Sequence, residues 1–292
     1  MTQPATPRLI TGLSEIASSY DALICDVWGV IHDGQRHHPA AAEALFRFKE
    51  LHGPVVLLTN APRVPAEVAA QCASYGLPPG CYDAIVSSGG AARDELVRRS
   101  AGRTLPLYYI GPDRDLPMIQ GLDIVRTGID EAEVALCIGL VDDWNETPAD
   151  YADRLAAMRA RGLVMLCANP DLVVHRGPRL LYCAGSLAQA YEALGGEVIY
   201  YGKPHLPVYR AALVAAAEAA QTARKPAPAR PLAVGDGLLT DIRGANAAGL
   251  DALFIADGVH GEEIEPYSPA HLEALFARFG ASADAAARVL KW

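Results

Sequence analysis

Four short polar stretches hold residues able to do chemistry. They are Asp26 in DALICDVWGV, Thr59 and Asn60 closing PVVLLTN, Lys203 in EVIYYGKP, and Asp236 with Asp241 in PLAVGDGLLTD. Each follows an apolar run of the kind that forms a buried strand. In an open parallel sheet the strand C-termini share one edge, and ligands bind there, so residues distant in sequence are expected to converge. Carboxylates, a lysine, a hydroxyl and an amide gathered in one pocket suit phosphoryl transfer. Asp26 and Asp236 offer hard oxygen ligands for Mg²⁺. Lys203 would neutralise charge on the transferring group, and Thr59 with backbone N–H groups would hold its remaining oxygens. Asp26, flanked by Lys203 and a metal, would stay ionised and attack phosphorus to form an aspartyl-phosphate.

Positioning these groups takes a particular order of elements. The strands DALICDV, PVVLLTN and DAIVSS alternate with the helices HPAAAEALFRFKELHG, VPAEVAAQCASYG and GAARDELVRRS. Strand, helix, strand in that order implies parallel strands and right-handed crossovers, hence an α/β fold with a Rossmann-like three-layer core. The middle of the chain repeats the theme in shorter elements, LPLYYIG to SLAQAYEALGG. The longer alternation resumes at EVIYYGKP, which reads as a fourth core strand. The expected organisation is therefore a core from residues 1–88 and 197–292, with an α/β cap domain inserted at 89–196. RKPAPARP, residues 224–231, reads as a surface loop.

Composition narrows the partners. Lysine and arginine number 25 against 34 acidic residues, a net charge of −9, with no basic run to offset it. No nucleic acid and no membrane are therefore expected as partners, and a homodimer is compatible with the sequence. The six cysteines form no CxxC pair and sit in apolar runs, which argues against a zinc site or a disulfide frame. No signal-like N-terminus or spanning segment is read, so the expected location is cytoplasmic.

In order along the chain, DVWGVIHDG, VVLLTNAPR, YYGKPHLPVY and AVGDGLLTDIRGANAAG resemble the four motifs of the haloacid dehalogenase-like superfamily. The position of the insertion, with IVSSGGAARDEL and CANPDLV around and within it, resembles the class IIA hydrolases. The resemblance covers nearly the whole chain. It implies a Mg²⁺-dependent phosphatase acting on a small phosphorylated metabolite, with a cap that closes over the site and sets specificity. Carried over by position, Asp26 is nucleophile and metal ligand, and Trp28 lends its backbone carbonyl to the metal. Thr59 and Asn60 bind phosphate, Lys203 stabilises charge, Asp236 is a direct metal ligand, and Asp241 orients a metal-bound water.

Trp28 departs from that pattern, because family phosphatases usually carry there an aspartate that protonates the leaving group. An indole N–H cannot serve as an acid. Trp28 reads equally as an apolar lid over the pocket. His32 is a candidate substitute acid or base, Asp33-Gly34 suits a tight turn, and the adjacent His37 and His38 suit a loop better than a metal site. In the insertion, Asn169, Asp171, His175 and Arg176 form a polar stretch that serves either as loop or as substrate contact. Two rivals remain at this point. A dehalogenase releases halide and tolerates Trp28 but has no use for Asp236 with Asp241; a catalytically impaired member would bind a phosphorylated ligand only.

Overall fold

The computed structural model describes residues 6–176 and 179–292. It divides into two compact units. One holds the chain up to Thr59 with Ala66–Val86 and Lys203–Trp292; the other holds Asn60–Pro65 and Ser87–Gly202. The chain begins with β1 (Arg8–Leu9), β2 (Ala22–Cys25), α1 (Pro39–Leu51), β3 (Val55–Thr59), α2 (Pro65–Ser74) and β4 (Ala84–Ser87). It continues through α3 (Ser88–Arg99), β5 (Leu105–Ile110), β6 (Ile124–Arg126), β7 (Val134–Cys137), α4 (Ala152–Arg161) and β8 (Val164–Cys167). Next come β9 (Val173–Arg176), β10 (Arg179–Tyr182), α5 (Ala184–Ala193) and β11 (Val198–Tyr200). The last elements are α6 (Leu206–Thr222), β12 (Pro231–Gly235), α7 (Arg243–Ala248), β13 (Asp251–Ile255), α8 (Pro269–Phe279) and β14 (Ala285–Ala287).

The first unit is built on a seven-stranded sheet ordered β1-β14-β13-β12-β2-β3-β4. β2 and β12 lie side by side at its centre, in parallel, with Cys25 opposite Val234. From this pair the chain winds outward both ways, β2 to β3 to β4 and β12 to β13 to β14, so the centre is a topological switch point. Every residue of β2 and β3 is buried, as strands covered on both faces require. One face packs Ile24, Val56, Phe254 and Ala286 against Ala212 and Ala216 of α6 and Phe276 of α8. The helix α1 turns Ala41, Ala44, Leu45 and Phe48 inward, a spacing that puts all four on one face.

The second unit has a five-stranded sheet, β11-β8-β7-β5-β6, parallel throughout, and an antiparallel hairpin of β9 and β10. Its strands are shorter, and two apolar clusters cover the sheet. One gathers Leu155 and Met158 of α4 with Leu187 and Tyr191 of α5; the other gathers Ala92 and Leu96 of α3 with Leu107, Val134 and Leu166. Two expectations are corrected here. EVIYYGKP is not a core strand: β11 pairs with β8 of the second sheet, Val198 opposite Met165. His175 and Arg176 lie on β9 rather than in a loop. Among the described residues, no helix is long and apolar enough to cross a membrane.

Candidate active site

Asp26 follows β2 and Asp236 follows β12, so the pairing of those strands sets the two carboxylates at neighbouring strand ends. The Asp26 N–H continues the ladder, donating to the Val234 carbonyl at 2.8 Å. Asp241 reaches the same point from a wide, π-helical turn at Leu238–Ile242, its Oδ2 accepting from the Gly237 N–H at 2.9 Å. One oxygen of each aspartate lies within 4.8 Å of the other two, and all three residues are buried. The Lys203 ammonium, 3 % exposed, donates to Asp26 Oδ1 and, at 2.7 Å, to Asp241 Oδ1. Lys203 arrives there from the segment between β11 and α6, not from the end of a core strand. Thr59 is buried at the C-terminus of β3, the strand beside β2.

Three acids facing one ammonium leave the cluster short of positive charge. Burial pushes the Asp26 carboxyl well above the usual carboxylate range; Asp241 adds to the rise and Lys203 opposes it. Burial, with Asp241, pushes Asp236 up to about 7, although the Val259 N–H donates to its Oδ2 at 2.7 Å. Burial works against the Lys203 ammonium, yet Asp241 and Asp26 outweigh it and hold the proton more firmly than usual. A hard divalent cation taking oxygen ligands fits this donor set. The backbone around it is shaped to match. A Cβ at Gly29 or at Gly258 would overlap the Asp236 carboxylate, so glycine is needed on both segments. Gly29 also has φ 80°, open to glycine at no steric expense. The Trp28–Gly29 peptide therefore runs beside Asp236. The sequence pattern assigns no role to Gly29, Gly258 or Tyr209, whose hydroxyl donates to the Asp241 carbonyl at 2.9 Å; a glycine three or four residues past a strand end is the available signal for the first two.

Trp28 is 37 % exposed, and its six-membered ring lies on the Cα of Gly34, where a Cβ would collide with it. Gly34 has φ 85°, and Asp33 Oδ1 accepts from the N–H groups of Gln35 and Arg36, so Asp33-Gly34 forms a tight turn. His32 packs edge-on between the rings of Trp28 and Tyr75, with centroids 5.5 and 4.9 Å away. It is 4 % exposed, and its Nδ1 accepts the Gly34 N–H at 3.1 Å. Burial lowers its pKa, which favours neutral imidazole. His37 Nδ1 pairs with the Tyr75 carbonyl at 3.0 Å, and His38 precedes α1.

The second unit gathers the other polar residues expected at the site. Asn60 donates its side-chain amide to Asp171 Oδ1 at 2.8 Å. The Asp171 N–H in turn donates to Asn169 Oδ1 at 3.1 Å, so Asn169 shapes the loop after β8. Asn60 and Asp171 are thus bonded to each other across 111 residues of sequence.

A family model described as "haloacid dehalogenase-like hydrolase" matches residues 23–124, and a second, described as HAD-hydrolase-like, matches residues 200–278. A crystal structure of a haloacid dehalogenase-like hydrolase from Brucella suis 1330 is 39 % identical, with a TM-score of 0.82, over 97 % of this chain and 100 % of that one. The ribonucleotide monophosphatase NagD of Escherichia coli K12 is 27 % identical over 240 residues, 81 % of this chain and 88 % of its own length. Glycerol phosphate phosphatase of Mycobacterium tuberculosis, solved in complex with magnesium, is 26 % identical with a TM-score of 0.61, over 86 % of this chain and 73 % of that one.

Proposed function

The chain belongs to the haloacid dehalogenase-like hydrolases, and on that premise we propose that it is a Mg²⁺-dependent phosphatase of the class IIA type, acting on a small phosphorylated metabolite. The observation that carries the proposal is the buried group of Asp26, Asp236, Asp241 and Lys203 at the switch point of the sheet. The named relatives with phosphatase activity support the reaction class. A dehalogenase would have no use for three converging carboxylates, so that reading is set aside.

In this reading Asp26 and Asp236 would hold the metal together with the Trp28 carbonyl, and Asp241 would orient water beside them. Bound there, Mg²⁺ supplies positive charge for the phosphoryl oxygens. Asp26 is the nucleophile: a carboxylate oxygen attacks phosphorus, the leaving oxygen departs, and water then hydrolyses the aspartyl-phosphate. Lys203 holds Asp26 in place and offsets charge on the phosphoryl group, and Thr59 binds one of its oxygens. Asn60 acts with Asp171 and Asn169 on the substrate side, and residues 89–196 serve as the specificity-setting cap. Phosphate release from p-nitrophenyl phosphate with Mg²⁺ tests the proposal. Turnover should need the metal and vanish in Asp26→Asn, which removes the nucleophile but almost no volume. An Asp26→Asn protein as active as the original would overturn it.

A further inference from the structure

We propose that His260 is a positioning residue for the carboxylate cluster: its imidazole caps the turn that carries Asp241, and so fixes where that carboxylate stands relative to Asp236. The inference rests on the reading of the cluster as a Mg²⁺ site. Asp236 and Asp241 flank Gly237 and Leu238, where the wide turn Leu238–Ile242 begins. The first N–H groups of a helical turn have no partner within it and must find one elsewhere. Here the Gly237 N–H goes to Asp241 Oδ2 at 2.9 Å, and the Leu238 N–H donates to His260 Nε2 at 3.4 Å. Leu238 is fully buried, so solvent cannot take the place of that acceptor.

The segment that brings His260 also grips Asp236. The Cα of Gly258 lies against the Asp236 carboxylate, and the Val259 N–H donates to its Oδ2 at 2.7 Å. Three consecutive residues, Gly258 to His260, therefore hold the first carboxylate and the turn that bears the third. The ring itself has one orientation. Because Nε2 accepts, Nδ1 carries the hydrogen and donates to Glu263 Oε1 at 3.1 Å. Glu263 is tied to α8, where Arg278 pairs with its carboxylate and His271 Nε2 donates to its carbonyl at 2.7 Å. The His260 ring lies beside Phe254 and Phe279, with centroids 6.5 and 5.3 Å away, and its side chain is 13 % exposed. Without the imidazole, the Leu238 N–H is left buried and unpaired. The turn must then shift to satisfy it, and Asp241 moves with the turn while Val259 keeps Asp236 in place. Mg²⁺ demands near-ideal octahedral geometry, and losing a group that orients its surroundings typically lowers affinity by about 10- to 100-fold.

Titration calorimetry with Mg²⁺ on the full chain tests this. His260→Phe keeps a ring beside the two phenylalanines but removes the acceptor, and should weaken Mg²⁺ binding by about tenfold. His260→Ala repeats the measurement without added bulk and should show the same loss. His260→Gln, whose Oε1 can accept the Leu238 N–H, should restore affinity to within about threefold of the unaltered protein. Ser268→Ala removes the hydroxyl that caps α8, on the same side of the fold, and should leave Mg²⁺ affinity unchanged. With p-nitrophenyl phosphate, the Mg²⁺ concentration for half-maximal rate should rise in His260→Phe, while KM for the ester at saturating Mg²⁺ stays constant. Circular dichroism shows whether each variant keeps the fold. Folded His260→Phe and His260→Ala proteins that bind Mg²⁺ as tightly as the original overturn this inference alone. So does an equal loss in His260→Gln or Ser268→Ala, which would make the effect one of general loosening. An unaltered protein that binds no Mg²⁺ overturns the metal reading and this inference with it.

Discussion

Raising the pH of the metal-free protein should weaken it, and Mg²⁺ should restore what is lost. In the folded, metal-free protein Asp236 keeps its proton until about pH 7, whereas an unfolded aspartate releases it near the usual 3.8. Between those values the folded state binds more protons than the unfolded one, so stability falls as pH rises through that window, and Asp26, raised for the same reason, adds to the fall. At about 1.4 kcal/mol for each tenfold change in proton affinity, the loss is on the order of 4 kcal/mol. Metal binding removes this penalty, because the ligands bind as carboxylates and release the proton. The stabilisation by Mg²⁺ should therefore grow from pH 4 to pH 7. A domain of this size changes its Tm by about 2–4 °C per kcal/mol, so the full effect is about 10 °C. Thermal unfolding by circular dichroism, with excess Mg²⁺ or with EDTA across that pH range, measures it. Asp236→Asn, which has no proton to release, should show a smaller and flatter difference. A difference that is absent, or constant with pH in the unaltered protein, would refute the reasoning.

Two further outcomes follow from contacts at and beside the site. Gly29→Ala and Gly258→Ala each place a methyl against the Asp236 carboxylate, so both should weaken Mg²⁺ binding by titration calorimetry and lower stability by about 1–3 kcal/mol; Gly29→Ala should suffer more, because its φ of 80° disfavours alanine. Asn169→Ala removes the Oδ1 that accepts the Asp171 N–H, so urea unfolding should show a loss of about 0.5–1.5 kcal/mol, and binding of a slowly hydrolysed substrate should weaken more than kcat falls.

Much of the fold was legible because its central strands are continuous apolar runs that end in polar residues. ALIC, VVLLT and PLAVG each announce both the strand and the place where chemistry emerges. The edges were not legible. β1 has two residues, β14 is three alanines of low strand propensity, and both are strands only because they pair with each other and with β13. The hairpin of β9 and β10 carries VVHR, which has no clean alternation. EVIYY misled for another reason. A short apolar strand looks the same in either sheet, and only its pairing with β8 assigns it. At the site, Asp26 and Asp236 were legible because each follows a buried strand, whereas Lys203 reaches the cluster from the segment after β11 and Asp241 from a turn, so their places there were legible only from residue type. The bond from Asn60 to Asp171 was hidden, because side-chain partners 111 residues apart leave no local pattern. The seating of Trp28 on Gly34 was hidden too: Asp33-Gly34 signalled a turn, but not what would lie on it.

The central claim is that Asp26 carries the phosphoryl group during turnover. Mixing the protein with acetyl phosphate and Mg²⁺, quenching rapidly in acid and mapping the peptides by mass spectrometry tests it directly. The account predicts a phosphoryl-sized mass increase on the peptide that contains Asp26, dependent on Mg²⁺ and absent from Asp26→Asn. A phosphoryl group mapped to any other residue, or steady phosphate release by Asp26→Asn at the rate of the unaltered protein, would contradict it.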